Sequence, residues 1–151
     1  MPSEDAILFA VKEALIARGW AILAYCAPGG HGGFTVEASD VKDYPGARVV
    51  FDLVAYRRPW VICLEAKARF SDRDRAKLDR VLGHPELRGR VLAKVARSLP
   101  RATAEVLKLV KALAYGEGPS VAEDYVLFTV DEAGNVRADF GSEHADLAAA
   151  W

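Results

Sequence analysis

A single acidic residue interrupts the apolar run Val49-Val50-Phe51-Asp52-Leu53-Val54-Ala55-Tyr56, and the next run, Val61-Ile62-Cys63-Leu64, leads into Glu65-Ala66-Lys67. Both runs read as buried strands, where an unpaired charge is costly. Two carboxylates and a lysine in that setting point to a site with work to do. Oxygen donors of this kind suit a small divalent cation such as Mg²⁺ or Mn²⁺.

The elements that must position these groups follow from the intervening residues. Arg57-Arg58-Pro59-Trp60 predicts a turn, and an antiparallel hairpin centred on it sets Tyr56 opposite Val61, so that paired residue numbers sum to 117. Asp52 then faces Glu65, with Cβ atoms about 5 Å apart, close enough to share one ion. The strand period of two puts Lys67 on the face of Glu65 and turns Leu64 and Ala66 the other way. A slip of one residue would send the two carboxylates to opposite faces.

Phe51-Asp52 followed, after twelve intervening residues, by Glu65-Ala66-Lys67 resembles the PD-(D/E)XK nuclease superfamily, which includes the archaeal Holliday-junction resolvases. The order along the chain is similar too: an amphipathic helix, a first strand, the Asp strand, the Glu-x-Lys strand, a helix, then more β structure. The resemblance implies an α/β, restriction-endonuclease-like mixed sheet flanked by helices in the order α-β-β-β-α-β. It also implies metal-dependent hydrolysis of phosphodiester bonds in DNA, including branched or structured DNA. Asp52, Glu65 and the backbone carbonyl of Ala66 would hold Mg²⁺ or Mn²⁺, and Lys67 would orient the attacking water. Phe51 stands where the family has its proline. Many members add an acid on the first helix; the count back from Gly19-Trp20 lands on Leu8, which leaves Glu4, Asp5 and Glu13 as candidates. First-turn acids such as Glu4 and Asp5 also complement the helix dipole without any further role.

The remaining pattern is α/β. Residues 4–18 read as a helix with Ile7, Leu8, Val11, Leu15 and Ile16 on its core face; residues 21–27 and 34–38 read as strands. Ser71-Asp72-Arg73-Asp74 predicts an N-cap opening a helix to about Leu82. Helical pattern resumes over 87–99 and again over 102–115, where Gly116 would end it. Residues 125–130 and 135–140 predict a hairpin about Glu132-Ala133-Gly134. The loop Gly29-Gly30-His31-Gly32-Gly33 lacks the Lys-Ser/Thr ending of a phosphate-binding P-loop, and His31 is read as exposed or as a phosphate contact.

Net charge is −1 over 151 residues, yet residues 69–111 carry twelve Lys and Arg against five Asp and Glu. Arg90, Lys94, Arg97 and Arg101 recur on one helical face. Such a ridge suits a nucleic-acid backbone, DNA on the resemblance above, or is simply a solvated face. The length fits one domain, and no run of about eighteen apolar residues or secretory leader is visible, so a cytoplasmic protein without a membrane partner is expected. With no glutamine and Asn135 as the one asparagine, the composition is that of a thermophile. Cys26 and Cys63 read as small buried residues, with a bridge between them as the minor alternative. The faces offered for a homodimer are residues 107–113 and the apolar tail 147–151. A non-catalytic nucleic-acid-binding or assembly module on the same scaffold remains the alternative function.

Overall fold

The first helix, α1 (Glu4–Ala17), opens at Ser3, whose Oγ accepts the Ala6 N–H at 3.2 Å. It closes at Gly19, where φ reaches +86° and the Gly19 and Trp20 N–H groups donate to the carbonyls of Ile16 and Leu15, each at 3.0 Å. This closure needs a left-handed residue, which glycine adopts without steric cost. The computed structural model describes residues 2–26, 34–99, 106–119 and 123–151. The loop holding His31, together with Arg101 and residues 102–105 of the expected third helix, lies outside them.

Six strands form a mixed sheet in the order β1 (Ala21–Tyr25), β4 (Leu53–Arg57), β5 (Trp60–Ala66), β6 (Lys108–Tyr115), β7 (Tyr125–Val130) and β8 (Val136–Phe140). β5, β6 and β7 run parallel, while β1, β4 and β8 are antiparallel to their neighbours. A two-stranded sheet of β2 (Phe34–Glu37) and β3 (Arg48–Phe51) stands apart. The helices α2 (Asp72–Gly83) and α3 (Pro85–Arg97) lie on the path from β5 to β6, since parallel neighbours need a crossover. Ile7, Leu8, Val11 and Leu15 of α1 pack with Leu147 of the short α4 (Ala145–Ala150) against Leu53, Ile62, Leu64 and Phe128 on one face. Leu78, Val81, Leu87, Val91 and Val95 of α2 and α3 pack with Phe34, Val49 and Phe51 against Val54, Cys63, Leu113 and Leu127 on the other. Burial on both faces explains why β5 is apolar at nearly every position.

Three expectations need correction. The run 49–56 is not one strand: β3 and β4 part at Asp52, because β3 leaves to pair with β2, Phe51 opposite Phe34. Residues 108–115 are strand β6, not helix. Their Ala, Leu and Lys favour a helix, but both flanking positions in the sheet are taken by strands and both faces are buried, so tertiary context wins. The order of elements is accordingly longer than α-β-β-β-α-β, with a separate hairpin, two crossover helices and three later strands.

Neither surface offered for self-association is an apolar face left over. Val110, Ala112 and Leu113 are interior to the sheet, and the tail is core: Leu147 is fully buried and the Trp151 ring meets those of Trp20, Phe128 and Phe140 at 6.1, 5.8 and 5.4 Å. The Arg18 guanidinium lies 4.6 Å over Trp151 and donates to its carbonyl at 2.6 Å. Trp151→Ala is expected to cost about 2 kcal/mol, read as a lower urea midpoint with unchanged slope. Cys26 and Cys63 are both free thiols, and no helix among the described residues is long and apolar enough to cross a membrane.

Candidate active site

The β4–β5 hairpin sets the site. Tyr56 pairs with Val61 and Leu53 with Leu64, so the observed numbers sum to 117. Asp52 sits one step beyond the last pair, at a kink. Its N–H donates to the Leu64 carbonyl at 3.1 Å, one residue short of that register, and its carbonyl accepts the Cys26 N–H at 2.8 Å. In an uninterrupted ladder the Ala66 N–H would reach the Phe51 carbonyl. Because β3 has turned away, the Asp52 carboxylate takes that N–H instead, Oδ2 to N at 2.9 Å. A short acceptor side chain is what lets the strand break there without an orphaned donor.

Asp52 and Glu65 thus converge on the face covered by α2, the same face as Val54 and Cys63. Glu65 is 5% exposed. Burial pushes its carboxyl up to about 8, the hydrogen bond and charge of Asp52 add to the rise, and the Lys77 ammonium opposes it. Lys77 comes down from α2, its Nζ bonded to Glu65 Oε1 and, at 2.7 Å, to the Val50 carbonyl. Asp74, one helical turn earlier, is 8% exposed. Its carboxyl is also pushed up, first by burial and further by Asp52, against the pull of Lys67 and Lys77. Glu65, Lys67, Phe70, Asp74, Leu113 and Tyr115 line a narrow, tightly closed cleft.

Lys67 sits just past the end of β5, half exposed, with its Nζ 3.7 Å from Glu4 Oε1. Of the three helix acids, the fold therefore brings Glu4 to Lys67, though not into the cleft lining. Glu13 pairs with Lys12 at 3.2 Å and lines a broad groove on the outer side of α1, and Asp5 is exposed in the first turn. The basic ridge is largely spent on α3's own packing. Arg90 forms paired bonds of 2.8 and 3.0 Å to Asp40, another of 2.7 Å to Glu86, and donates to the Glu37 carbonyl. Lys94 donates to the Thr35 carbonyl and lies 5.0 Å over the Phe34 ring. Arg97 is exposed beside them. These contacts tie α3 to the small sheet, a neighbour that helical spacing cannot reveal. Exposed Lys67 and Arg69 line the same cleft as Glu65, and the charge of exposed Arg73 acts on Asp74.

Sequence reasoning missed Asp74 and Lys77. The signal was present: they are three apart and share the stripe of α2 that buries Leu78 and Val81, where charge is out of place.

Comparison with family models, with curated proteins and with solved structures found no match for this chain. Among the described residues no group of three or more His, Cys, Asp and Glu side chains is spaced for a metal ion. A cation here would rest on the Asp52 and Glu65 pair, with backbone oxygen and water completing its shell. Two apposed carboxylates, one of them pushed up by burial and by its acidic neighbour, fit a hard ion that keeps several waters.

Proposed function

We propose that this chain is a metal-dependent nuclease of PD-(D/E)XK type that hydrolyses phosphodiester bonds in DNA, including branched or structured DNA, on a restriction-endonuclease-like arrangement of sheet and helices. The observation that carries this reading is the convergence of Asp52 and Glu65, from a strand break and a central strand, with Lys67 beside them at the cleft mouth. Asp52, Glu65 and the Ala66 carbonyl would hold Mg²⁺ or Mn²⁺, which when bound lowers the pKa of water and neutralises charge on the phosphate. Lys67, its ammonium outside the buried pair, orients a water and places positive charge near the phosphate without ligating metal. Glu4 holds Lys67 to that side of the cleft. Arg69 and Arg73 offer backbone contacts at its mouth, and the affinity they lend falls with salt.

One observation favours a second reading, a non-catalytic nucleic-acid-binding or assembly module: Lys77 already supplies Glu65 with a counter-charge. Incubation with branched, single-stranded and duplex DNA in Mg²⁺ or Mn²⁺ separates the two. Metal-dependent cleavage lost on Asp52→Asn and on Lys67→Ala supports the nuclease. DNA binding indifferent to metal, with every substrate left intact, supports the module.

A further inference from the structure

The cation in contact with the buried carboxylate pair comes from α2, not from the strand motif. Lys77 Nζ bonds Glu65 Oε1 on β5 and the Val50 carbonyl on β3, whereas Lys67 is half exposed and reaches toward Glu4. The Lys77 side chain is 30% exposed, so it is not sealed from water as Glu65 is. We propose that Lys77 is a positioning residue that occupies Glu65 in the metal-free protein and yields it when a divalent cation binds. The inference rests on the metal-dependent reading above.

Its physical basis is competition for one oxygen. An ammonium and a divalent ion on the same carboxylate repel, and low surrounding polarity strengthens the repulsion. Glu65 cannot turn away, because β5 is clamped between β4 and β6 and its carboxyl is buried. Lys77 can: its four-carbon stem allows the Nζ to leave Oε1 while staying near the Val50 carbonyl or entering water. Until then Lys77 holds Glu65 beside Asp52 and joins α2 to β3 and β5. The site is thereby held in shape before its ion arrives.

The test is calorimetric titration of Mn²⁺ into the protein alone, without DNA, for wild type, Lys77→Met, Lys77→Gln and Asp52→Asn. Removing the competing charge is expected to tighten Mn²⁺ binding on the order of tenfold in Lys77→Met and Lys77→Gln. Asp52→Asn is expected to lose it. A purely structural lysine would lower the unfolding temperature of the metal-free variants and leave Mn²⁺ affinity unchanged or weaker. The glutamine variant retains a donor for Val50 and serves if the methionine variant does not fold. Binding in wild type that neither neutral variant improves overturns the role of Lys77 and leaves the metal site standing. No Mn²⁺ binding in wild type or in either neutral variant overturns the metal-dependent reading, and this inference with it.

Discussion

Asp52→Asn is expected to lower metal-dependent cleavage by about 10³-fold while leaving the protein folded and slightly more stable. The two effects have one cause. On the proposed function the Asp52 charge would attract a cation; without one it stands against the buried Glu65 and destabilises that carboxylate. Asparagine keeps an oxygen for the Ala66 N–H, so the strand break survives. Alanine would orphan that donor at a further cost of about 1–3 kcal/mol, which would confuse a lost activity with a damaged fold. With asparagine, stability at pH 8 is expected to rise by about 1 kcal/mol, the pattern of a site tuned for chemistry at the expense of stability. Single-turnover cleavage of a labelled branched DNA and urea unfolding of the same preparation measure both. Wild-type cleavage rates in this variant would remove Asp52 from the mechanism. Lys67→Ala makes a useful contrast, with cleavage lost and stability unchanged, because its side chain is half exposed.

The metal-free protein is expected to lose stability as pH rises from about 4.5 to about 8. Glu65 has its acidity shifted upward on folding, from 4.5 to about 8, mainly by burial and then by Asp52, so in this window the native state keeps a proton that the unfolded chain releases. Its neutral form is the one the fold prefers. The contribution is therefore fully present below 4.5, declines through the window and is gone above 8; the full shift corresponds to at most about 5 kcal/mol. Asp74, pushed the same way, adds to the decline. Urea midpoints from pH 5 to 9 in the presence of a chelator check this, and Glu65→Gln is expected to flatten the curve. On the metal-dependent reading, Mn²⁺ added at pH 8 is expected to restore the lost stability by mass action through the native carboxylate pair. A midpoint independent of pH would show that Glu65 is already fully satisfied by Lys77.

Local chemistry is legible in the sequence. Ser3 and Gly19 mark the ends of α1, Ser71 precedes α2, and the turn at Arg57–Trp60 carries enough information to fix the β4–β5 register up to Leu53 and Leu64, since a hairpin's register is set within a few residues of its turn. The break in the strand at Asp52 was not legible, because it depends on β3 leaving for β2, a partner fourteen residues upstream of Arg48 at its start. Nor was β6, whose alanines and leucines adopt a strand only because β5 and β7 flank them. The basic face of α3 reads as available in the sequence, but β2 supplies the Thr35 and Glu37 carbonyls and the β2–β3 connection supplies Asp40 to engage it. Asp74 and Lys77 joined the carboxylates only when α2 was laid across the sheet. Turns and caps are short-range and are written in adjacent residues; which charges meet across separate layers is decided by packing, and so the candidate site has two strand carboxylates that sequence could pair and a helix lysine that it could not.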